Sequence, residues 1–204
     1  MIKTSLYSKV KTYNFEELFK KKGYAYFTNG AYNLNIIGVR ASGKQINNSF
    51  DDVIVLTYKT PTGLWARQVY QVTTDPGSYY LLNPISQKGT AILVPGQYRG
   101  AYALGLHRGK YQALCQKKPV KVYRDDNKDN IYDWDVNNLE EGMFGINIHK
   151  AGVFSKRVDT WSAGCQVFAS AQEFKAFINY CNKQIKNGFG NSFTYTLLKE
   201  EDLV

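Results

Sequence analysis

Hydrophobic positions change their spacing twice along this chain. Near the start, Phe15, Leu18 and Phe19 share one helical face. Asn14 is placed to cap that face, Glu17 follows three residues later, and Gly23 comes after the last turn, so the pattern predicts a short covering helix. From Asn33 the apolar residues fall into runs of strand character at 33–40, 52–58 and 64–73, divided by clusters of Gly, Asn, Asp and Pro. The segment Asp75-Pro76-Gly77-Ser78 reads as a turn. Six further runs, at 90–94, 101–106, 119–124, 143–149, 166–169 and 193–198, also predict strands. Helical spacing then returns. Ser170 and Glu173 form the signature of a capping box, Phe174, Phe177, Ile178, Cys181 and Ile185 make an apolar stripe, and Gly188 closes the segment.

Nine short strands and two helices imply a mainly β fold, sandwich-like or barrel-like, with a short N-terminal helix and one C-terminal helix. No repeat, low-complexity tract or linker divides the chain. The expectation is one domain over residues 1–204, with 1–30 as a helical cover and 31–204 as the β-rich region that carries the chemistry. A content of 44% hydrophobic and 15% aromatic residues excludes a disordered chain, and 204 residues can bury a core without disulfide staples.

Charge adds a partner class. Lys and Arg number 26 against 17 Asp and Glu, giving +9, so polyanions such as anionic wall polymers should attract the protein. The lysines are scattered and no nucleic-acid recognition motif accompanies them, so no nucleic-acid partner is expected. A basic β domain stacking bases on Tyr and Phe remains a rival reading on charge alone. The start, Met1-Ile2-Lys3-Thr4-Ser5, lacks the apolar stretch of a secretory signal, and no window approaches a membrane span. Synthesis in the cytoplasm without a signal peptide is the expectation. Three cysteines cannot all pair, which argues for reduced thiols.

The scarce residues narrow the chemistry. Cys181 lies on the late apolar stripe and is expected in the core. Cys115 follows an apolar pair and is read as structural. Cys165 differs, because Ser162, Ala163 and Gly164 leave the backbone around it uncrowded, so that main-chain N–H groups near Gly164 and Cys165 can meet an oxyanion. His149 closes the alternating run Phe144, Ile146, Ile148 and lies sixteen residues before Cys165. Its imidazole should project from the face opposite those apolar side chains or lie at the strand's edge. A thiol nucleophile with an imidazole base is the chemistry this pair suggests. His107 also ends a strand-like run and could orient substrate or act as a second acid or base. Paired Cys or His ligand spacing is lacking, so neither catalytic metal nor other cofactor is expected. The acidic stretch from Asp125 to Asp133 has oxygen ligands at alternate positions. It lacks a glycine at the sixth position and has Val136 at the twelfth, so a solvated turn is expected, with weak calcium binding as the alternative.

The histidine closing a strand, the gap, and Ser162-Ala163-Gly164-Cys165 together resemble the catalytic signature of the L,D-transpeptidases. The segment Leu93-Val94-Pro95-Gly96-Gln97-Tyr98 is similar to that family's proline-glycine lead-in, and the resemblance spans roughly residues 90–170, closest in character to bacteriophage members. It implies a β-rich catalytic domain acting on the peptide stems of bacterial peptidoglycan through a cysteine acyl-enzyme, in a phage enzyme that lyses cell walls. Cys165 would be the nucleophile, His149 the base and later the acid, and Ser162 with Gly164 would shape the turn and oxyanion site. Substrate contacts are expected from His107, Trp161 and Gln166. The chain departs from the family at Ala163, where a second histidine is usual, at Lys150, where glycine is usual, and at Val167, where Arg or Asn is usual. A non-catalytic virion or wall-binding protein on the same fold is the alternative.

Overall fold

In the computed structural model, which describes residues 4–43 and 48–204, eight strands close into a barrel. In chain order the barrel strands are β1 (Asn35–Arg40), β2 (Asp52–Lys59), β3 (Trp65–Thr73), β5 (Gly96–His107), β6 (Tyr111–Gln116), β9 (Ile148–Lys150), β10 (Gln166–Phe168) and β11 (Phe193–Lys199). Around the barrel they run β1-β11-β5-β6-β9-β10-β3-β2, and β2 returns to β1. All neighbours are antiparallel except β1 with β11 and β9 with β10. A separate sheet joins β4 (Thr90–Leu93), β7 (Val120–Asp125) and β8 (Leu139–Gly142). The fold is thus mainly β, as the spacing of apolar runs implied.

The unbroken apolar character of β1 and β2 follows from burial on both faces. Ile36, Ile54 and Leu56 enter the main core together with Phe168, Phe174 and Tyr195. Ile37, Val39, Val53 and Val55 enter a second core with Leu6, Val10, Phe15, Leu18 and Phe19. That second core is supplied by α1 (Thr4–Thr12) and α2 (Phe15–Lys22). Asn14 caps α2 through the Glu17 N–H, and Gly23 ends it in the left-handed conformation. The expected cover over residues 1–30 therefore holds two helices where the pattern predicted one, with residues 1–3 outside the described part. A short α3 (Ser78–Leu82) follows the expected turn.

The late helix is α4 (Ala171–Gln184). Ser170 Oγ accepts from the Glu173 N–H at 3.3 Å, but the Glu173 carboxylate turns to the backbone of Gln71, so only half of the capping box forms. Phe174, Phe177, Ile178 and Cys181 lie in the main core. Among the described residues no helix is long and apolar enough to cross a membrane.

Three differences from the expected elements matter for the site. Strands β6 and β8 went unpredicted. The expected strand at 143–149 is regular only from Ile148, because a side chain replaces the sheet ladder before it. Gln116 Oε1 accepts the N–H groups of Phe144 at 3.1 Å and Ile146 at 3.0 Å, while its Nε2 donates to the carbonyls of Lys118 and Gly142. Gly145, at φ +72°, provides the bend between those two amides.

Candidate active site

Cys165 sits where a tight turn delivers the chain into β10. Ser162, fully buried, donates its hydroxyl to the Cys165 carbonyl at 2.8 Å and accepts the Gly164 N–H at 3.2 Å. The Ser162 carbonyl accepts the Gly77 N–H at 2.9 Å. Gly164 has φ +117°, and a Cβ there would lie 2.2 Å from the Ala91 carbonyl oxygen and 3.0 Å from Ile146 Cδ1. Only glycine meets both conditions. On the far side, the Gln166 N–H donates to the Asn147 carbonyl at 2.9 Å, starting the parallel ladder with β9. Because Gly164 gives its N–H to Ser162, the oxyanion donor expected from that residue is already engaged. The Cys165 N–H has no partner among the described residues and is the group left for that task.

Parallel pairing of β9 with β10 brings Asn147, His149 and Cys165 to one face of the sheet, opposite Ile146, Ile148 and Phe168 in the core. The Asn147 main-chain N–H donates to Cys165 Sγ at 3.4 Å, and the thiol reaches the Gly145 carbonyl at 3.4 Å. Cys165 and His149 share no hydrogen bond. His149, 5% exposed, donates Nδ1–H to the Lys150 carbonyl at 2.9 Å. A carbonyl can only accept, so the proton is on Nδ1 and the Nε2 lone pair remains available as a base.

Strand order then supplies the second histidine. His107, at the end of β5, stacks on His149 with ring centroids 4.2 Å apart and planes at 22°. The Asn147 side-chain amide donates to His107 Nδ1 at 3.2 Å, and its orientation is set by the Gln116 N–H on Oδ1 at 2.9 Å. His107 therefore carries its proton on Nε2. The pair holds opposite tautomers, one imidazole ready to accept and one ready to donate.

Burial governs the charge states. The Cys165 thiol is pushed up to about 11, chiefly by burial, with the Asn147 N–H and the Arg108 charge pulling the other way. His149 is pushed down to about 4, again chiefly by burial, then by the neighbouring charges of His107, Arg108 and Lys150. His107 is lowered by burial and by Arg108. At neutral pH the site thus holds a neutral thiol beside neutral imidazoles.

A groove opens over Cys165, with a volume of about 380 Å³. Ala91, Phe144 and Ile146 give it apolar walls, and His107, Arg108 and Asn147 give it polar ones. His149 stands behind His107, outside the lining. Of the expected substrate contacts, His107 lines the groove, whereas Trp161 and Gln166 do not. Trp161 is 43% exposed and packs near Gly152. Gln166 is fully buried, with Tyr195 OH donating to its Oε1 at 2.8 Å and its Nε2 donating to the Gly164 carbonyl at 3.2 Å. It braces the cysteine turn from beneath, which corrects the expectation that it meets substrate. Cys115 is half-buried on β6 and Cys181 is fully buried in the core.

Sequence reasoning missed Asn147, Arg108 and Gln116. Asn147 was detectable, since the alternation that turns His149 away from Ile146 and Ile148 also turns the residue two positions earlier. Compared with known proteins, the chain matches no protein-family profile, no curated protein and no solved structure.

Proposed function

We propose that the chain is a cysteine-dependent enzyme that cleaves peptide bonds in the stems of bacterial peptidoglycan, on a fold of the L,D-transpeptidase type. The reading rests on one observation, the gathering of Cys165, the Asn147 N–H and His107 at a single groove, with His149 of the opposite tautomer stacked on His107 behind it. Because thiol and imidazole are both neutral, attack proceeds by general-base catalysis. The Cys165 proton passes to His149 Nε2 as Sγ bonds to the amide carbonyl carbon, and the oxyanion is met by the Cys165 N–H. His149 returns that proton to the departing amine as the C–N bond breaks, leaving a thioester on Cys165. Water resolves the thioester in a carboxypeptidase or endopeptidase, and a second amine resolves it in a transpeptidase. His107, which lines the groove and carries its proton on Nε2, orients the substrate. The net charge of +9 favours adhesion to anionic wall polymers, as suits a phage enzyme that lyses cell walls.

Purified peptidoglycan digested with the wild type and with Cys165→Ala, followed by muropeptide mass spectrometry, tests this directly. New muropeptides should appear with the wild type alone, and their masses identify the bond and the acceptor. Identical profiles would remove the enzyme reading.

A non-catalytic virion or wall-binding protein on the same fold is favoured by one observation, the missing hydrogen bond between Cys165 and His149. It predicts sedimentation with insoluble peptidoglycan at equal strength for both proteins and no product from either.

A further inference from the structure

The acidic loop after β7 has a feature that a solvated turn does not explain. Asp125 is 0% exposed, and its Oδ1 has no hydrogen-bond partner, while Oδ2 accepts the Asp133 N–H at 3.1 Å. Asn130 Oδ1 is likewise enclosed and without a partner. An enclosed carboxylate oxygen with nothing to satisfy it costs free energy unless a cation or donor meets it. Three charges of its own sign act on it, from Asp133, Asp129 and Asp126.

We propose that residues 125–133 form a calcium site, with oxygen ligands from Asp125, Asn127, Asp129 and Asp133 and from the Ile131 carbonyl. These are the first, third, fifth, ninth and seventh positions of a loop of the kind that wraps this cation. Such a loop needs a left-handed residue at its sixth position, normally glycine. Asn130 stands there at φ +65°, which asparagine tolerates better than other residues with side chains.

As the side chains stand, no three of the described acidic, histidine or cysteine residues converge on one point. The centre is held by the Asn127 amide, whose Nδ2 donates to Asp129 Oδ2 at 3.1 Å and to Asp133 Oδ2 at 2.9 Å. One NH₂ group already satisfies two carboxylates from the place a cation would take. Turning that amide over presents Oδ1 to the same centre, at the cost of the bond it now accepts from the Asp129 N–H. Hard oxygen ligands in a flexible loop favour Ca²⁺ over Mg²⁺, which demands near-ideal octahedral geometry. With Val136 replacing the usual glutamate at the twelfth position, affinity should fall on the order of 10⁻⁴–10⁻³ M, as in extracellular modules.

The loop is tied to the groove. Asp125 pairs with Thr90 across β7 and β4, and Thr90 and Ala91 line the groove wall against which Gly164 rests. Tyr132 OH donates to the Pro76 carbonyl at 3.0 Å, and Trp134 stacks on the Arg40 guanidinium. A bound cation would stiffen that wall. The inference does not depend on the proposed activity.

The test is thermal unfolding of the full chain, stripped with chelator and titrated with CaCl₂ or MgCl₂ at constant ionic strength. Ca²⁺ should raise Tm saturably, by about 5 °C at about 10 mM, with Mg²⁺ at least about tenfold weaker. Asp129→Asn should weaken Ca²⁺ binding about tenfold or more, and Asp135→Asn, outside the ligand set, should leave it unchanged. Should Asp129→Asn fail to fold, Asn127→Asp asks the same question, since a carboxylate at the centre should lower Tm without calcium and tighten Ca²⁺ binding about tenfold. No Tm shift with Ca²⁺, or equal shifts with both cations that Asp129→Asn leaves intact, would overturn the site.

Discussion

The resting thiol of Cys165 should be sluggish toward alkylating agents at neutral pH. With its titration raised to about 11, the thiolate share at pH 7 is about 10⁻⁴, against about 3% for an ordinary cysteine near 8.5. That is roughly a 300-fold deficit. A more basic thiolate is intrinsically more nucleophilic, by a factor of about 10 to 15 for this shift, so the net slowing is about 20-fold to 30-fold. Iodoacetamide labelling of the native protein, with the modified cysteines quantified by peptide mass spectrometry from pH 6 to about 11, measures this. The Cys165 rate should climb about tenfold per pH unit up to pH 10 and flatten only near 11. Arg108→Ala should move the inflection higher still, because the guanidinium favours the thiolate. His149→Gln should leave the profile nearly unaltered, since the two side chains share no hydrogen bond. An inflection between pH 5 and 8 would refute the reasoning, for it would mean that the free protein holds a thiolate–imidazolium pair.

Three further outcomes follow from the geometry. Gly164→Ala should cost about 3 kcal/mol or more in chemical denaturation, because the positive φ and the Ala91 carbonyl both oppose a Cβ; a loss under about 1 kcal/mol would show that the turn can relax. Gln116→Ala removes four hydrogen bonds to main-chain groups and should cost about 2–4 kcal/mol, with faster amide exchange at Phe144 and Ile146 as its signature. His149 is buried and its folded titration lies near 4, below the unfolded value of about 6.5, so its contribution is complete above pH 6.5 and is lost as pH falls toward 4. Roughly 3 kcal/mol of stability should disappear across that window in the wild type and persist in His149→Gln; matching curves for the two proteins would contradict the burial argument.

What could be read in advance was local. Asn14, Glu17 and Gly23 bracket α2 because caps act within a turn of the chain, and the stripe from Phe174 to Cys181 placed α4. The runs at β1, β2 and β3 stood out because apolar and β-branched residues dominate them. Strand β8, Leu-Glu-Glu-Gly, offers no apolar alternation, and β6 buries little beyond Ala113 and Leu114. Helix α1 hides behind its lysines, with Leu6 and Val10 its buried anchors. In the site, the spacing of His149 and Cys165 was visible, yet their setting was not. The stack of His107 on His149 arises from the order β5-β6-β9, and the bracing of residues 143–146 from one glutamine on β6. Such long-range pairings leave no periodic trace in the residues that make them.

The seam of the barrel has a kinetic consequence. Strand β1 finds a permanent neighbour in β11, with Ile36 beside Tyr195 and Arg40 beside Lys199. A ribosome must therefore release the chain through Lys199 before the barrel can shut, and until then β1 presents one open edge. Loop closure across that span is slow, so the turn bearing Cys165 acquires its final backing from Tyr195 only in the last stage of assembly. The bracing of the Cys165 turn is completed together with the barrel, and a nascent fragment that ends before β11 lacks both the seam and that backing.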